Sequence, residues 1–238
     1  MPSETVNAEI EAFFDGWEIY RRVIECNFMS HRELGDALIA HFAERGADGS
    51  ILDLGCGDSA LSSRVVRDSG FSEYHGVDLA SMALKFAEDN LQGAAESINL
   101  HHSDLGDFVR STERQFDAVI VGYSLHHYPK KEKAGFLKAI VDRQLLKADG
   151  ELLIYDIFRD PGVTREQYLE SYLAMCKAEW LGYDERQWEG IVDHISTRDY
   201  PEVQSEFIQL GHDAGLYGGA ELWRDQTGFH RLIQFTAL

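Results

Sequence analysis

Short apolar runs and longer amphipathic segments alternate between residues 51 and 157, and this alternation constrains the fold more than any other feature. Residues 51–54 and 116–123 are two such runs, each of strand length and each dominated by apolar side chains. Strands that are buried on both faces have this composition, and they occur in parallel sheets covered by helices. The pattern therefore predicts a doubly wound α/β sheet.

The same pattern predicts seven strands and the helices between them. The predicted strands are 51–54, 75–79, 98–102, 116–123, 151–157, 220–224 and 229–236, and the predicted core helices are 60–69, 82–92, 131–146 and about 202–214. A tight turn at 225–228 joins the last two strands, which must therefore be antiparallel. We expect a seven-stranded, mostly parallel sheet with one antiparallel strand.

Two helical segments lie outside this alternation. Apolar residues recur at intervals of three and four from Ile10 to Ile24, and a second helix is predicted at 31–44. Residues 165–188 predict one or two helices with no strand between them. We therefore expect a helical cap at 1–49, and one α/β domain at 50–238 that carries a helical insertion at about 158–200.

A glycine loop, Gly55-Cys56-Gly57, follows the first predicted strand. Glycines at this place let the backbone turn sharply and let a ligand approach closely. Asp78 ends the second strand, at the distance along the chain where a carboxylate can accept hydrogen bonds from the hydroxyls of an adenosine ribose. Asp104 follows the third strand and adds a carboxylate to the same edge. The sequence thus predicts a cofactor that contains adenosine.

Two classes of adenosine cofactor fit this loop. The spacing of Gly55, Gly57 and Ala60 also satisfies the motif of NAD enzymes. The carboxylates of Asp53 and Asp58 flank the loop, and they would repel a pyrophosphate but attract an ammonium or a sulfonium group. The charges favour S-adenosylmethionine. An NAD(P)-dependent oxidoreductase and a non-catalytic S-adenosylmethionine-binding protein stay open as alternatives.

From about residue 50 to the carboxyl terminus, the sequence resembles the class I S-adenosylmethionine-dependent methyltransferases. DLGCG at 53–57 is similar to their first motif, FDAVIVGYSLHHY at 116–128 to their fourth strand and the loop after it, and DGELLIYD at 149–156 to their fifth strand. The resemblance implies a Rossmann-like methyltransferase fold and methyl transfer to a small molecule. The family's third motif glycine is Ser59 here, which is expected to alter the curvature of the loop.

The resemblance also implies roles for the loop residues. Gly55 and Gly57 would line the methionine part of the cofactor, Asp53 would act on its amino group, and Asp104 would contact the adenine amino group. Independently of the resemblance, Arg21 or Arg22 on the amino-terminal helix could pair with the methionine carboxylate. The expected cofactor-binding residues are Asp53, Gly55, Cys56, Gly57, Asp78, Leu79, Ser103, Asp104, Leu105, Tyr123 and Arg21.

Two adjacent histidines, His126 and His127, follow the fourth strand, where the loop of this family faces the methyl group of the cofactor. They are candidate catalytic residues, as is Tyr20 on the amino-terminal helix. The candidate substrate contacts are His31, His194 and Arg198. All of these residues could instead pack in the protein or lie in solvent. No metal is expected, because relatives that bind one carry Glu-x-x-Glu-His at the positions that match 123–127, and two of those three ligands are replaced or missing here.

The charge balance limits the partners. There are 41 acidic and 22 basic residues, which give a net charge of −19, and this charge disfavours nucleic acid and anionic membrane surfaces. No run approaches the ~20 apolar residues of a membrane span, and the first residues do not resemble a signal peptide. Three widely spaced cysteines fit a reducing compartment. We expect a cytoplasmic monomer or homodimer that takes a small-molecule substrate, with no nucleic-acid or membrane partner.

Overall fold

A computed structural model describes residues 18–46 and 48–237. Residues 18–25 are helical. The helices that follow are α1 His31–Arg45, α2 Ala60–Ser69, α3 Ser81–Asn90, α4 Leu105–Ser111, α5 Lys130–Asp142, α6 Arg165–Glu179, α7 Glu185–Arg198 and α8 Gln204–Ala214. The strands are β1 Ser50–Leu54, β2 Glu73–Asp78, β3 Ser97–His102, β4 Phe116–Gly122, β5 Leu146–Arg159, β6 Glu202–Val203, β7 Tyr217–Arg224 and β8 His230–Thr236.

Seven of these strands form one continuous sheet in the order β3-β2-β1-β4-β5-β8-β7. The neighbours from β3 to β5 pair in parallel, whereas β8 is antiparallel to both β5 and β7. The short strand β6 adds two residues beside the end of β5. The predicted doubly wound, mostly parallel sheet with one reversed strand is therefore confirmed.

The registers of the central strands bring the sequence motifs together. Leu54 at the end of β1 is paired with Val77 of β2 and with Val121 of β4. The residues that come next, Gly55, Asp78 and Gly122, therefore lie side by side at the carboxyl edge of the sheet. Ligands of open α/β sheets bind at this edge.

Two apolar clusters cover the faces of the sheet, and a third cluster lies under the cap. The third cluster joins Val23 of the amino-terminal helical segment to Ile157 at the end of β5, and to apolar residues of α6 and α7 such as Tyr172 and Ile191. These helices thus pack over the carboxyl edge of the sheet. The helix predicted from Ile10 onward begins outside the described residues, and the domain boundaries stay a prediction.

The predicted element ends were wrong where tertiary contacts decide them. The helix predicted at 131–146 ends at Asp142, because Gln144 adopts a left-handed backbone with φ 50° and Leu146 pairs with Phe116 of β4. Strand β5 consequently begins at Leu146, five residues earlier than predicted. Helix α8 begins at Gln204, because the two preceding residues pair with β5. Among the described residues, no helix combines the length and apolar character needed to cross a membrane.

A buried ion pair holds β6 in place, and its removal is expected to lower the stability of the fold strongly. Lys133 of α5 is 2% exposed; its Nζ lies 3.0 Å from Glu202 Oε1 and donates to the carbonyl oxygen of Tyr200. We expect Lys133→Met to lower the free energy of unfolding by about 3–5 kcal/mol, because it leaves a buried carboxylate without a partner. Denaturant titration measures the loss. Lys138→Met removes an exposed ion pair of the same helix, and it should cost less than about 1 kcal/mol. Equal losses in the two variants would contradict this account.

Candidate functional site

A cleft of about 290 Å³ lies over the glycine loop, and we call it the glycine-loop cleft. The amides of Gly55 and Cys56 both donate to the carbonyl oxygen of Val77, at 2.8 and 3.0 Å. Gly55 has φ 77°, and a methyl group there would overlap Ser124 Oγ. Only glycine therefore fits, and the bare backbone becomes the floor of the cleft.

Carboxylates surround the glycine loop from two sides. Asp78 accepts hydrogen bonds from the amides of Gly57 at 2.8 Å and Ala80 at 2.7 Å, which fix its carboxylate at the rim. Asp53 lies below the loop and is 1% exposed. Ser62 and Tyr74 donate to its Oδ2, whereas its Oδ1 has no hydrogen-bond partner in the part of the chain that the structure describes. The site is therefore strongly negative, and it favours a cation.

A second cavity of about 770 Å³ lies beside the first, and we call it the apolar cavity. Its lining is mostly apolar and includes Val23, Ile157, Tyr172, Trp180 and Ile191. The cap supplies most of this lining through residues 18–25, α6 and α7. Tyr20 and His127 line both the apolar cavity and the glycine-loop cleft, so these two residues mark the boundary where the two spaces meet.

Tyr20 keeps its proton at this boundary. Burial of its hydroxyl, together with the nearby carboxylates of Asp58, Asp53 and Asp78, raises the pKa of Tyr20 above its ordinary value. A phenol with a raised pKa donates hydrogen bonds and does not act as a base near neutral pH. Tyr20 is thus suited to shape the passage between the two spaces and to donate a hydrogen bond there.

One end of the apolar cavity is polar, and its residues form what we call the histidine cluster: His126, His127, His194 and Asp199. Asp199 Oδ1 lies 3.8 Å from His126 Nε2, 3.4 Å from His127 Nδ1 and 3.9 Å from His194 Nε2. Behind the cluster, His126 Nδ1 lies 2.5 Å from Asp156 Oδ1. Burial opposes the charged imidazole, but the carboxylates of Asp156 and Asp199 outweigh it and raise the pKa of His126.

Comparisons with known proteins agree with this geometry. Residues 51–150 match the family model of a methyltransferase domain. The magnesium protoporphyrin IX methyltransferase of Synechocystis PCC 6803, solved with S-adenosylhomocysteine, is 16% identical with a TM-score of 0.65, over 98% of this chain and 100% of that one. Human N-acetylserotonin methyltransferase, solved with S-adenosylmethionine, is 14% identical with a TM-score of 0.61, over 100% of this chain and 60% of that one.

Residues 51–150 of this chain therefore carry a methyltransferase domain. The predicted family and the predicted cofactor, S-adenosylmethionine, are both confirmed. The methyltransferase SibL is 15% identical with a TM-score of 0.56; the match covers 79% of this chain, which spans about half, 50%, of SibL. Likeness at these identities shows a shared fold. None of the curated proteins matches the sequence.

The predicted cofactor residues of the methyltransferase domain fall into two groups. Those that line the glycine-loop cleft are Gly55, Cys56, Gly57, Asp78 and Tyr123. Those that lie outside its lining are Asp53, Leu79, Ser103, Asp104, Leu105 and Arg21. Asp53 lies beneath the loop, and Leu105 packs near Gly55. Leu79 is 69% exposed, and Arg21 forms an exposed ion pair with Glu25.

Asp104 has a structural role in addition to its predicted contact with adenine. It is the N-cap of α4, and its Oδ1 accepts hydrogen bonds from the amides of Gly106 and Asp107. Ser103 Oγ donates to the carbonyl oxygen of Asp104. Both residues thus form the turn at the end of β3, two strands away from the glycine loop.

The candidate catalytic and substrate residues are partly brought together. His126, His127 and Tyr20 line the apolar cavity, as does His194. His31 lies on the other side, in the glycine-loop cleft, where its ring packs against Tyr123. The side chain of Arg198 is exposed, while its carbonyl oxygen lies 3.4 Å from His127 Nδ1.

Asp156 and Asp199 are functional-site residues that were not predicted from the sequence, although each leaves a trace there. Asp156 is a lone acid within the apolar run of β5, and a buried carboxylate in a central strand requires a partner. Asp199 gives a weaker signal, because it lies beyond α7 and more than 70 residues after the histidines. The amide of Tyr200 donates to the carbonyl oxygen of His126 at 2.6 Å, and this long-range bond places Asp199 in the cluster.

The buried carboxyl group of Asp53 should make the affinity for the cofactor depend on pH. Burial raises the pKa of Asp53 from 3.8 to about 6, although Ser62 and Tyr74 donate hydrogen bonds to its carboxylate. The folded chain therefore holds this proton more tightly than the unfolded chain does, so burial of Asp53 lowers stability as the pH rises through this range. A cationic ligand binds best once the proton has left. We expect the affinity for S-adenosylmethionine to fall about tenfold between about pH 7 and about pH 5.

Calorimetric titration at the two pH values measures this change. Asp53→Asn is the control, because its side chain has no such proton, and its affinity should depend on pH much less. His31 stays neutral throughout, since burial lowers its pKa to about 3. A wild-type affinity that is the same at both pH values would contradict the prediction, and so would an equal slope in Asp53→Asn.

Proposed function

We propose that this chain transfers the methyl group of S-adenosylmethionine to a small molecule bound in the apolar cavity. The observation that carries the proposal is the boundary at Tyr20 and His127, where the glycine-loop cleft and the apolar cavity meet. A donor in the first space and an acceptor in the second would face each other there. Holding two reactants in contact can supply about 7–11 kcal/mol toward the barrier of such a displacement.

The donor would be held by the acids and the backbone of the glycine loop. Asp78 would accept hydrogen bonds from the ribose hydroxyls, since each of its oxygens has a lone pair left beyond the bond from the loop. The buried charge of Asp53 would stabilise the ammonium and sulfonium groups. Asp104 and Leu105 remain the proposed contacts to adenine, and Arg21 the proposed partner of the methionine carboxylate.

The acceptor would be a mostly apolar molecule with one nucleophilic group. The side chains of Ile157, Tyr172, Trp180 and Ile191 offer it an apolar surface, while the histidine cluster offers polar atoms at one end only. Binding sites for small molecules commonly combine apolar walls with a few polar groups that fix orientation. A hydroxyl of the acceptor would therefore point toward His127.

The transfer would then proceed in line across the boundary. The bond between the methyl carbon and sulfur breaks as the bond to the acceptor oxygen forms, and the electron pair stays on sulfur to give S-adenosylhomocysteine. His127 would take the proton of the hydroxyl. Tyr20, which keeps its own proton, would help to position the reacting groups. A base in this role contributes about 10²- to 10⁴-fold.

Two other functions are less well supported. A protein that binds the cofactor without catalysis needs no room beside the methyl group, whereas this chain has a cavity of about 770 Å³ there. Methylation of nucleic acid is disfavoured by the net charge of −19. The free cysteines Cys26, Cys56 and Cys176 support the proposal of a reducing, cytoplasmic location.

A variant that places a bulky side chain in the wall of the apolar cavity tests the proposed function. Gly190 of α7 lines this cavity, and a Cβ there would meet no atom of the described residues within 4 Å. Gly190→Trp should therefore fold, bind S-adenosylhomocysteine as tightly as wild type, and lose methyl transfer because the indole obstructs the acceptor. Gly135→Trp is the matched control, because Gly135 is exposed on α5 and a Cβ there also meets no described atom within 4 Å.

The assay follows S-adenosylhomocysteine formed from S-adenosylmethionine in the presence of small phenols, aliphatic alcohols, carboxylic acids and amines. Wild type and Gly135→Trp are expected to turn over at least one of these classes, and Gly190→Trp none of them. Equal turnover in Gly190→Trp and wild type would contradict the proposal. So would transfer to a tRNA pool with none to any small molecule.

A further inference from the structure

We infer that the histidine cluster is a binding site for a divalent first-row transition metal, with His126 Nε2, His127 Nδ1 and Asp199 Oδ1 as ligands and His194 Nε2 as a fourth. His126, His127 and Asp199 are the His, Cys, Asp and Glu residues of the described chain whose ligand atoms group closely enough to hold an ion, all within 4.8 Å of one another. The site departs from the sequence-based expectation of no metal, which considered only the positions around 123–127.

The spacing of the ligand atoms suits a tetrahedral ion. Four ligands at about 2.0–2.1 Å from such an ion lie ~3.3 Å from one another. The distances from Asp199 Oδ1 to His127, His126 and His194 are 3.4, 3.8 and 3.9 Å. The ligand atoms of His126, His127 and Asp199 lie within 4.8 Å of one another, so side-chain rotation would have to draw them together by up to about 1.5 Å, and His194 lies outside this close group.

Asp199 provides the second observation that points to a ligand. The residue is 3% exposed, and its Oδ1 has no hydrogen-bond partner among residues 18–46 and 48–237, although three imidazoles surround it. A buried carboxylate oxygen without a partner costs free energy, and a bound cation would remove that cost. His127 Nδ1 also lies 3.4 Å from the carbonyl oxygen of Arg198, a contact that is too long to be strong.

The carboxylate of Asp156 fixes the orientation of the His126 ring, as carboxylates behind the histidine ligands of metals do. A carboxylate can only accept, so His126 Nδ1 carries the proton in its 2.5 Å contact with Asp156 Oδ1. In the neutral imidazole, the form that binds metals, Nε2 then has its lone pair on the side of Asp199, 3.8 Å away. The amides of His126 and Ile157 donate to the oxygens of Asp156 at 3.0 and 2.8 Å and fix the carboxylate. Histidine ligands of metals are typically held by such a carboxylate.

The donor set selects the class of metal. Imidazole and carboxylate together suit zinc and its first-row neighbours, whereas calcium and magnesium prefer oxygen ligands alone. All four ligand residues line the apolar cavity, so a molecule in that cavity could reach the ion. An ion held through His127 Nδ1 would occupy the one lone pair of that imidazole, so in the metal-bound chain the ion, in place of His127, would lower the pKa of the acceptor's hydroxyl. This consequence alone rests on the proposed function.

Titration with Co²⁺ and with Zn²⁺ tests the site without any methyl transfer. Untagged protein, freed of metal by a chelator, is titrated in a calorimeter, and the visible absorption of the Co²⁺ form reports tetrahedral coordination. We expect one ion per chain. Asp156→Asn removes a residue that only orients a ligand, and it should weaken metal binding by about 10- to 100-fold. Asp199→Asn and His127→Gln remove ligands themselves and should weaken metal binding by more than that.

The matched control is His212→Gln, at an exposed histidine of α8 outside the cluster, which should bind as wild type does. The side chain of His194 is half-exposed, so His194→Gln is expected to fold even if a variant of a buried residue does not. This variant should weaken metal binding and alter the Co²⁺ spectrum. Wild type that binds no stoichiometric ion would overturn the inference, as would folded cluster variants that bind like wild type. Because no cofactor or acceptor is present, either result leaves the proposed methyl transfer to its own assay.

Discussion

Asp78→Ala is expected to weaken the binding of S-adenosylmethionine by about 100-fold or more. The substitution removes the charged acceptor proposed for two ribose hydroxyls, and hydrogen bonds to charged groups are worth about 1.5–3 kcal/mol each. It also releases the amides of Gly57 and Ala80, which the carboxylate holds at 2.8 and 2.7 Å. The loop then loses the support that keeps it open to the ligand. Calorimetry with S-adenosylhomocysteine measures the change.

The control for this prediction is Asp89→Ala, which removes an exposed carboxylate from α3, the helix that follows Asp78. It keeps the change in net charge but leaves the cleft intact, so its affinity should stay within about twofold of wild type. An affinity of Asp78→Ala equal to that of Asp89→Ala would show that the ribose lies elsewhere.

His127→Ala is expected to lower kcat by about 10²- to 10⁴-fold, the range of a general base. The reason is its position, since His127 lines both the glycine-loop cleft and the apolar cavity and belongs to the histidine cluster. The affinity for the cofactor should change less than about tenfold, because the acids that hold the cofactor are retained. Steady-state kinetics on the best acceptor, together with calorimetry, separate the two effects.

His212→Ala serves as the control, because it removes a surface histidine whose ring bonds the carbonyl oxygen of Gly218, outside both cavities. It should keep wild-type turnover. Full turnover in His127→Ala would mean that contact between donor and acceptor is sufficient, with no group needed to take the proton. A loss of cofactor binding as large as the loss of kcat would instead assign His127 to the cofactor.

The sheet and its glycine loop were predictable because local chemistry determines them. An apolar run such as 51–54 is stable only in a strand that helices cover on both faces of the sheet. Gly55 lies at a turn where a side chain would clash with its neighbour. The placement of Asp78 beside that loop follows once β1 and β2 pair in parallel. These inferences need only the pattern within a few residues and the rules for parallel sheets.

The cavity and the histidine cluster were less predictable, because they depend on contacts between distant segments. The loop after β4 supplies His126 and His127, whereas Asp199 arrives through the pairing of Tyr200 with His126. The break between α6 and α7 could have been found, since Asp184 and Gln187 form a capping box. Nothing local indicates that α7 turns its residues Gly190 and His194 toward the sheet.

A crystal structure with S-adenosylhomocysteine tests the central claim most directly. The account predicts that the ribose hydroxyls lie on Asp78 and that the sulfur faces the opening between Tyr20 and His127. A transferred methyl group would then point into the apolar cavity. Binding of the ligand outside the glycine-loop cleft, or a sulfur turned away from the apolar cavity, would contradict the account.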